Sequence, residues 1–153
     1  MGVIISNSGG KIALIKRANF PIRFAPPAGH IDDHGSPEQA AIDEAEEEIG
    51  LVIEPSDLMA TPITERRVNN KCKREGGDHH VWWVYEADQF LGDIEADPTE
   101  TQGAEWYSKK QLQRLADRTK AYKAGKIPES EWEQNPGLEE IWVDFMRELE
   151  YIK

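Results

Sequence analysis

The chain has 153 residues, of which 39% are hydrophobic and 31% charged, a size and balance at which one globular unit with a real core is expected. Its formal net charge of −11 argues against binding to generic nucleic acid or to anionic membranes, both of which would repel it. A single cysteine, Cys72, excludes an internal disulfide, and no apolar run approaches the roughly 18 residues of a membrane span, so a cytoplasmic protein is expected.

In chain order, GVIIS and KIALIK are aliphatic runs on either side of Asn7-Ser8-Gly9-Gly10, which predicts a β-hairpin. The stretch from Arg17 to Gly35 carries Pro21, Pro26, Pro27 and Gly29 and reads as a long loop with one extended piece. Ser36-Pro37-Glu38-Gln39 is a helix start: a serine N-cap, proline in the first turn, and glutamine in position to complete a capping box. Gly50 closes the helix after about 13 residues.

Beyond it, LMATPITERRV and HHVWWVYEA read as strands flanking the basic stretch NNKCKREGGD. AEWYS is a further short strand and KKQLQRLADR a short helix. In the tail, Leu138, Ile141, Trp142, Phe145, Leu149 and Ile152 recur at helical spacing, so an amphipathic helix is expected to pack there. The whole reads as α/β or α+β with a mixed sheet.

The predicted helix 37–49 concentrates acid. At about 100° per residue, Ile42, Ala45 and Ile49 share one stripe, while Glu44, Glu47 and Glu48 share another turned away from the packing edge. Carboxylates at i, i+3 and i, i+4 repel by a few tenths of a kcal/mol per pair, so an isolated helix gains nothing from them. A hard divalent cation reverses the sign, Mg²⁺ first and Mn²⁺ or Ca²⁺ after it. The plain alternative is a solvated acidic face.

Gly29 through Leu51 resembles the Nudix box, G-x5-E-x7-R-E-U-x-E-E-x-G-U with U aliphatic. Gly29, Glu44, Ala45, Glu47, Glu48, Gly50 and Leu51 match it, and Pro27-Ala28-Gly29 is similar to the family's lead-in. Gly35 stands at the first glutamate of the pattern and Asp43 at its arginine. The order of elements over about residues 2–115 also follows the family.

The resemblance implies an α/β/α sandwich around a mixed sheet, one Nudix-like domain over 1–153 with a C-terminal helical extension from about residue 120. It implies a Mg²⁺-dependent hydrolase, Mn²⁺ serving as substitute, that cleaves the diphosphate of a nucleoside diphosphate linked to another moiety. Glu44, Glu47, Glu48 and the Gly29 carbonyl would hold metal. The water-activating base would be Glu47, Glu48 or Glu100, and in the family the box arginine pairs with a helix glutamate. The competing readings are a nucleotide-binding module that kept the fold and lost turnover, and a Ca²⁺- or protein-binding scaffold, which a homodimer burying the exposed face of the terminal helix would favour.

Candidate phosphate-binding cations cluster at Arg66, Arg67, Lys71, Lys73 and Arg74, with Arg23 and Arg17 before the box. His80 is a candidate to face a phosphate, and Phe24 and Phe20 to stack on a base. Cys72, His79 and His80 offer at most three ligands, and adjacent strand positions point to opposite faces, which weighs against zinc. Trp82 and Trp83 are expected on opposite faces of a strand.

Overall fold

The computed structural model describes residues 1–19, 21–69 and 77–153. Among the described residues the strands are β1 (Gly2–Ile5), β2 (Ile12–Arg17), β3 (Phe24–Ala25), β4 (Met59–Ala60), β5 (Arg66–Val68), β6 (His80–Trp82), β7 (Val84–Ala87) and β8 (Thr101–Tyr107). Its helices are α1 (Pro37–Ile49), α2 (Lys109–Lys123), α3 (Glu129–Gln134) and α4 (Glu140–Glu148). None of them is long and apolar enough to cross a membrane.

The two aliphatic runs at the start form strands that do not pair as a hairpin. β1 runs parallel to β7, from Gly2 opposite Val84 to Ile5 opposite Ala87, while β2 pairs antiparallel with β3 and β8. The predicted turn does form, with the Asn7 side chain accepting from the Gly9 and Lys11 N–H groups, but only a single bridge, Ser6 to Ile12, joins the strands beyond it. The backbone donors of β1 are committed elsewhere: Gly2 N–H donates to Trp83 and Val3 N–H to Pro27. A local turn signal cannot report such partners. The predicted strand 58–68 divides into β4, paired with β7, and β5, paired with β6, with Glu65 at φ 50 between them.

β1 and β2 are buried on both faces, and their alternate residues feed two cores. Ile4, Ile12 and Leu14 join Val84, Leu112, Leu138, Trp142 and Phe145 under α2 and α4. Val3, Ile5, Ala13 and Ile15 join Ala41, Ala45, Ile49 and Leu51 under α1. Sequential residues of a strand point to opposite faces, so the alternation fixes a helix–sheet–helix layering. Trp82 belongs to the first core and Trp83 to the second. The predicted tail helix is present as α4, with Trp142 and Phe145 buried, whereas α2 extends well past its predicted end and α3 has no counterpart in the sequence reading.

Gly137 marks where the tail crosses α2. A Cβ there would lie 2.5 Å from the Leu115 carbonyl oxygen and 2.9 Å from the Thr119 nitrogen, and neither backbone atom can yield cheaply. Gly137→Ala is expected to cost about 2 kcal/mol, seen as a fall of several degrees in the melting temperature by circular dichroism.

Candidate functional site

The acidic helix α1 is built as its ends predict. Ser36 accepts from the Gln39 N–H at 3.1 Å, Pro37 lies in the first turn, and Gly50 adopts φ 71 as the C-terminal cap. The expected capping box is half made, because the Gln39 amide turns forward and donates to Asp43 Oδ1 at 2.7 Å.

Glu44 and Glu48 do not face away from the packing edge as expected. They are 9% and 6% exposed, and they lie beside the buried Ala40, Ala41, Ala45 and Ile49. The three alanines let the helix close on the sheet, and the Pro27–Gly29 loop, laid along β1, covers the glutamates beside them. That loop is tied down by Val3 N–H donating to Pro27 and Gly29 N–H to Met1. Ala28 N–H then donates to Glu48 Oε2 at 3.1 Å. Gly29 is needed for space: a Cβ there would overlap Glu44 Oε1.

The third carboxylate comes from the segment before β8. Glu95 and Asp97 N–H groups donate to the last carbonyls of α1, those of Ile49 and Glu48, at 2.9 and 3.0 Å. Asp97 Oδ1 holds Thr99, and the Glu100 carbonyl accepts from Ala18 N–H at the end of β2. Glu100 is thereby swung over the helix. Among the described residues, carboxylate oxygens of Glu44, Glu48 and Glu100 lie within 4.8 Å of one another. They line a cavity of about 220 Å³ together with Arg17, Asn19, Ala28, Gly29 and His30.

The electrostatics are those of an under-neutralised pocket. Burial pushes Glu48 up to about 8, with further repulsion from Glu44 and Glu100. Burial raises Glu44 as well, followed by repulsion from Glu100. Arg17 is the cation on the cavity wall, but its guanidinium is bound to Glu139 at 3.1 Å. Converging carboxylate oxygens in a partly dehydrated cleft suit a hard divalent cation, which would offset both the burial and the mutual repulsion.

His34 lies on the other side of Glu44. Its Nδ1 is 2.9 Å from Asp43 Oδ2 and its Nε2 is 3.7 Å from Glu44 Oε1. The hydrogen bond to Asp43 raises the His34 pKa, with Glu44 adding to the effect. Asp43 is lowered, first by Gln39 and then by His34.

The remaining sequence candidates are placed differently. Glu47 is exposed and stands outside the three-carboxylate cluster, although it repels Glu44. The Gly29 carbonyl accepts from the Met1 amine at 2.9 Å. Arg23 stacks over Trp132, 4.7 Å from its ring centre, and Phe24 packs against Tyr107 at 5.7 Å. Arg66 forms a two-pronged pair with Glu148 at 2.9 and 3.0 Å, while Arg67 is exposed on β5. His80 lies between His30 and Trp82, with ring centres 6.2 and 6.4 Å away. Arg74, Lys71, Lys73, Cys72 and Phe20 lie outside the described residues.

Sequence reasoning missed His34, Asn19 and His30. For His34 one signal was available: a histidine two residues before an N-cap can fold back on the first turns of its helix, where Asp43 waits.

A loop–helix–loop that gathers buried glutamates against a glycine turn defines a class of hydrolase site. The NUDIX domain family matches residues 1–129, and the chain belongs to that family as a Nudix-type pyrophosphohydrolase. The fold is similar to that of the MutT protein from Methanosarcina mazei Go1, with a TM-score of 0.64 at 15% identity, covering 97% of this chain and 89% of that one. The MutT NUDIX hydrolase from Burkholderia pseudomallei gives 0.54 at 26% identity over 72% of this chain and 84% of its own. A C. elegans Ap4A hydrolase binary complex gives 0.51 at 21% identity over 81% and 97%. None of the curated proteins compared with the chain matches it.

Proposed function

We propose that this chain is a Mg²⁺-dependent hydrolase that cleaves the diphosphate linkage of a nucleoside diphosphate joined to another moiety. The observation that carries the reading is the convergence of Glu44, Glu48 and Glu100 within 4.8 Å at the wall of one cavity. Those three carboxylates would hold the ion, and Mn²⁺ would substitute. The ion supplies neutralisation of the diphosphate as charge develops on it. The names of two structural neighbours, a NUDIX hydrolase and an Ap4A hydrolase, accord with a nucleotide substrate.

The protein's own groups divide the remaining work. Arg17 differs from the other paired arginines in lining the cavity, and it would meet phosphate oxygens there by sharing or exchanging its Glu139 partner. His30 on the cavity wall, with His80 6.2 Å behind it, offers an imidazole face to a base or sugar, while Trp82 backs His80 from the core. Arg66 and Arg23 serve structure in this reading, since Glu148 and Trp132 already occupy them. Glu47, exposed one turn beyond Asp43, is the carboxylate left to take a proton from the attacking water. Residues 1–153 act as one unit, with α2 and α4 closing the sheet face opposite α1.

The test is a panel of nucleoside di- and triphosphates, nucleotide sugars and dinucleotides, with Mg²⁺ or Mn²⁺, assayed beside Glu47→Gln to exclude contaminating phosphatases. Release of a nucleotide product by the wild type, reduced about 10²-fold or more in the variant, is expected. Tight nucleotide binding by calorimetry without product would replace the proposal with a binding module. Equal turnover by both proteins points to a contaminant, unless Glu48→Gln is inactive in the same assay, which would instead remove Glu47 as the base.

A further inference from the structure

We infer that His34, held by Asp43, is a positioning residue that fixes the Glu44 carboxylate for the metal ion. The inference rests on the reading of Glu44 as a ligand and adds what sets its direction.

Glu44 Oε1 is bounded on two sides. On one is Gly29, where even a methyl group would overlap it. On the other is the His34 ring, with Nε2 3.7 Å away. A glutamate has three side-chain torsions, and a ligand left free in them loses rotamer entropy each time it binds. The ring that limits Glu44 is itself fixed. His34 Nδ1 meets Asp43 Oδ2 at 2.9 Å, and Asp43 Oδ1 is taken by the Gln39 amide at 2.7 Å. Gln39 is anchored in turn by its N–H to Ser36 at the helix cap.

The line Gln39–Asp43–His34–Glu44 therefore links the helix start to the candidate ligand. It explains why an acidic residue is tolerated at position 43, one place before Glu44: Asp43 spends its charge on His34 and Gln39. Neighbouring residues in a helix diverge by about 100°, so Asp43 cannot join the Glu44 site directly. Through the imidazole, its influence reaches the Glu44 oxygen. Groups that orient ligands in this way typically change metal affinity 10–100-fold when removed.

The experiment is a double-mutant cycle on the full chain, read by Mn²⁺ calorimetry and by the paramagnetic resonance line shape of bound Mn²⁺. His34→Ala is expected to weaken Mn²⁺ binding about tenfold or more and to alter the line shape. Asp43→Asn is expected to weaken it when His34 is present and to do little in the His34→Ala background. His34→Gln, which keeps a polar group in the loop, guards against misfolding and is expected to fall between wild type and His34→Ala. Unchanged affinity in both His34 variants overturns the inference, as does strict additivity of the two substitutions or a wild-type chain that binds no Mn²⁺. Mn²⁺ binding that depends on His34 without turnover of any nucleotide supports the inference while removing the hydrolase reading.

Discussion

Glu48→Gln is expected to cripple turnover while making the metal-free protein more stable above neutral pH. Removing one of three converging oxygen ligands is expected to lower kcat/KM by about 10³-fold, roughly 4 kcal/mol of barrier. The Ala28 N–H keeps an acceptor, because the glutamine carbonyl can replace Oε2.

The gain in stability follows from burial. Glu48 is raised from an ordinary 4.5 to about 8. Between those values the folded protein holds a proton that the unfolded chain has released, so the stability of the wild type falls as pH rises through that window. Glutamine carries no such proton. The difference in melting temperature should therefore grow in favour of the variant from pH 5 to pH 8, reaching several degrees for an effect on the order of 3 kcal/mol. Adding Mn²⁺ at pH 8 should raise the melting temperature of the wild type and leave the variant unchanged. Scanning calorimetry across that range, with and without Mn²⁺, measures both. A variant that is less stable than wild type at pH 8 would show that Glu48 is neutralised by some other group.

The second large effect is expected at a residue with no functional side chain. Gly29→Ala places a methyl group on Glu44 Oε1, whose retreat is limited where the His34 ring stands 3.7 Å away. Displacing a ligand by about 1 Å is expected to cost roughly 10²-fold in kcat/KM and a similar factor in Mn²⁺ affinity. Gly29 is only half-buried and belongs to neither core, so the melting temperature should move by no more than a few degrees. Combining Gly29→Ala with Glu44→Asp should recover part of the Mn²⁺ affinity, because the shorter acid withdraws from the added methyl. Full activity in Gly29→Ala would mean that Glu44 has room to adapt and is not the fixed ligand.

Together these substitutions separate a charge from its placement. Glu48 is costly to the fold because it is a buried acid, whereas Gly29 matters because Glu44 has one place to go. The same division runs through what could be read in the chain.

Features encoded within a few residues were legible. Ser36, Pro37 and Gly50 mark α1, and the aliphatic runs GVIIS and KIALIK mark β1 and β2 as strands. The spacing of Glu44 and Glu48 places two candidate ligands on one side of the helix. Caps and periodicities act over one or two turns, so no distant partner is needed to recognise them.

Features that depend on which backbone group meets which were decided by the tertiary structure. The turn at Asn7 to Gly10 is real, yet β1 pairs with β7, because a turn does not dictate which edge of the next strand is taken. Glu44 and Glu48 are buried because Ala40, Ala41 and Ala45 admit the sheet, and the Ala28 and Gly29 loop folds across them. Glu100 rather than Glu47 completes the cluster, because Glu95 and Asp97 donate to the end of α1 and swing the loop over it. Helical spacing named the acids of α1 and the family resemblance named Glu100; long-range backbone hydrogen bonds chose which three would meet, and the fold brought His34 to Glu44.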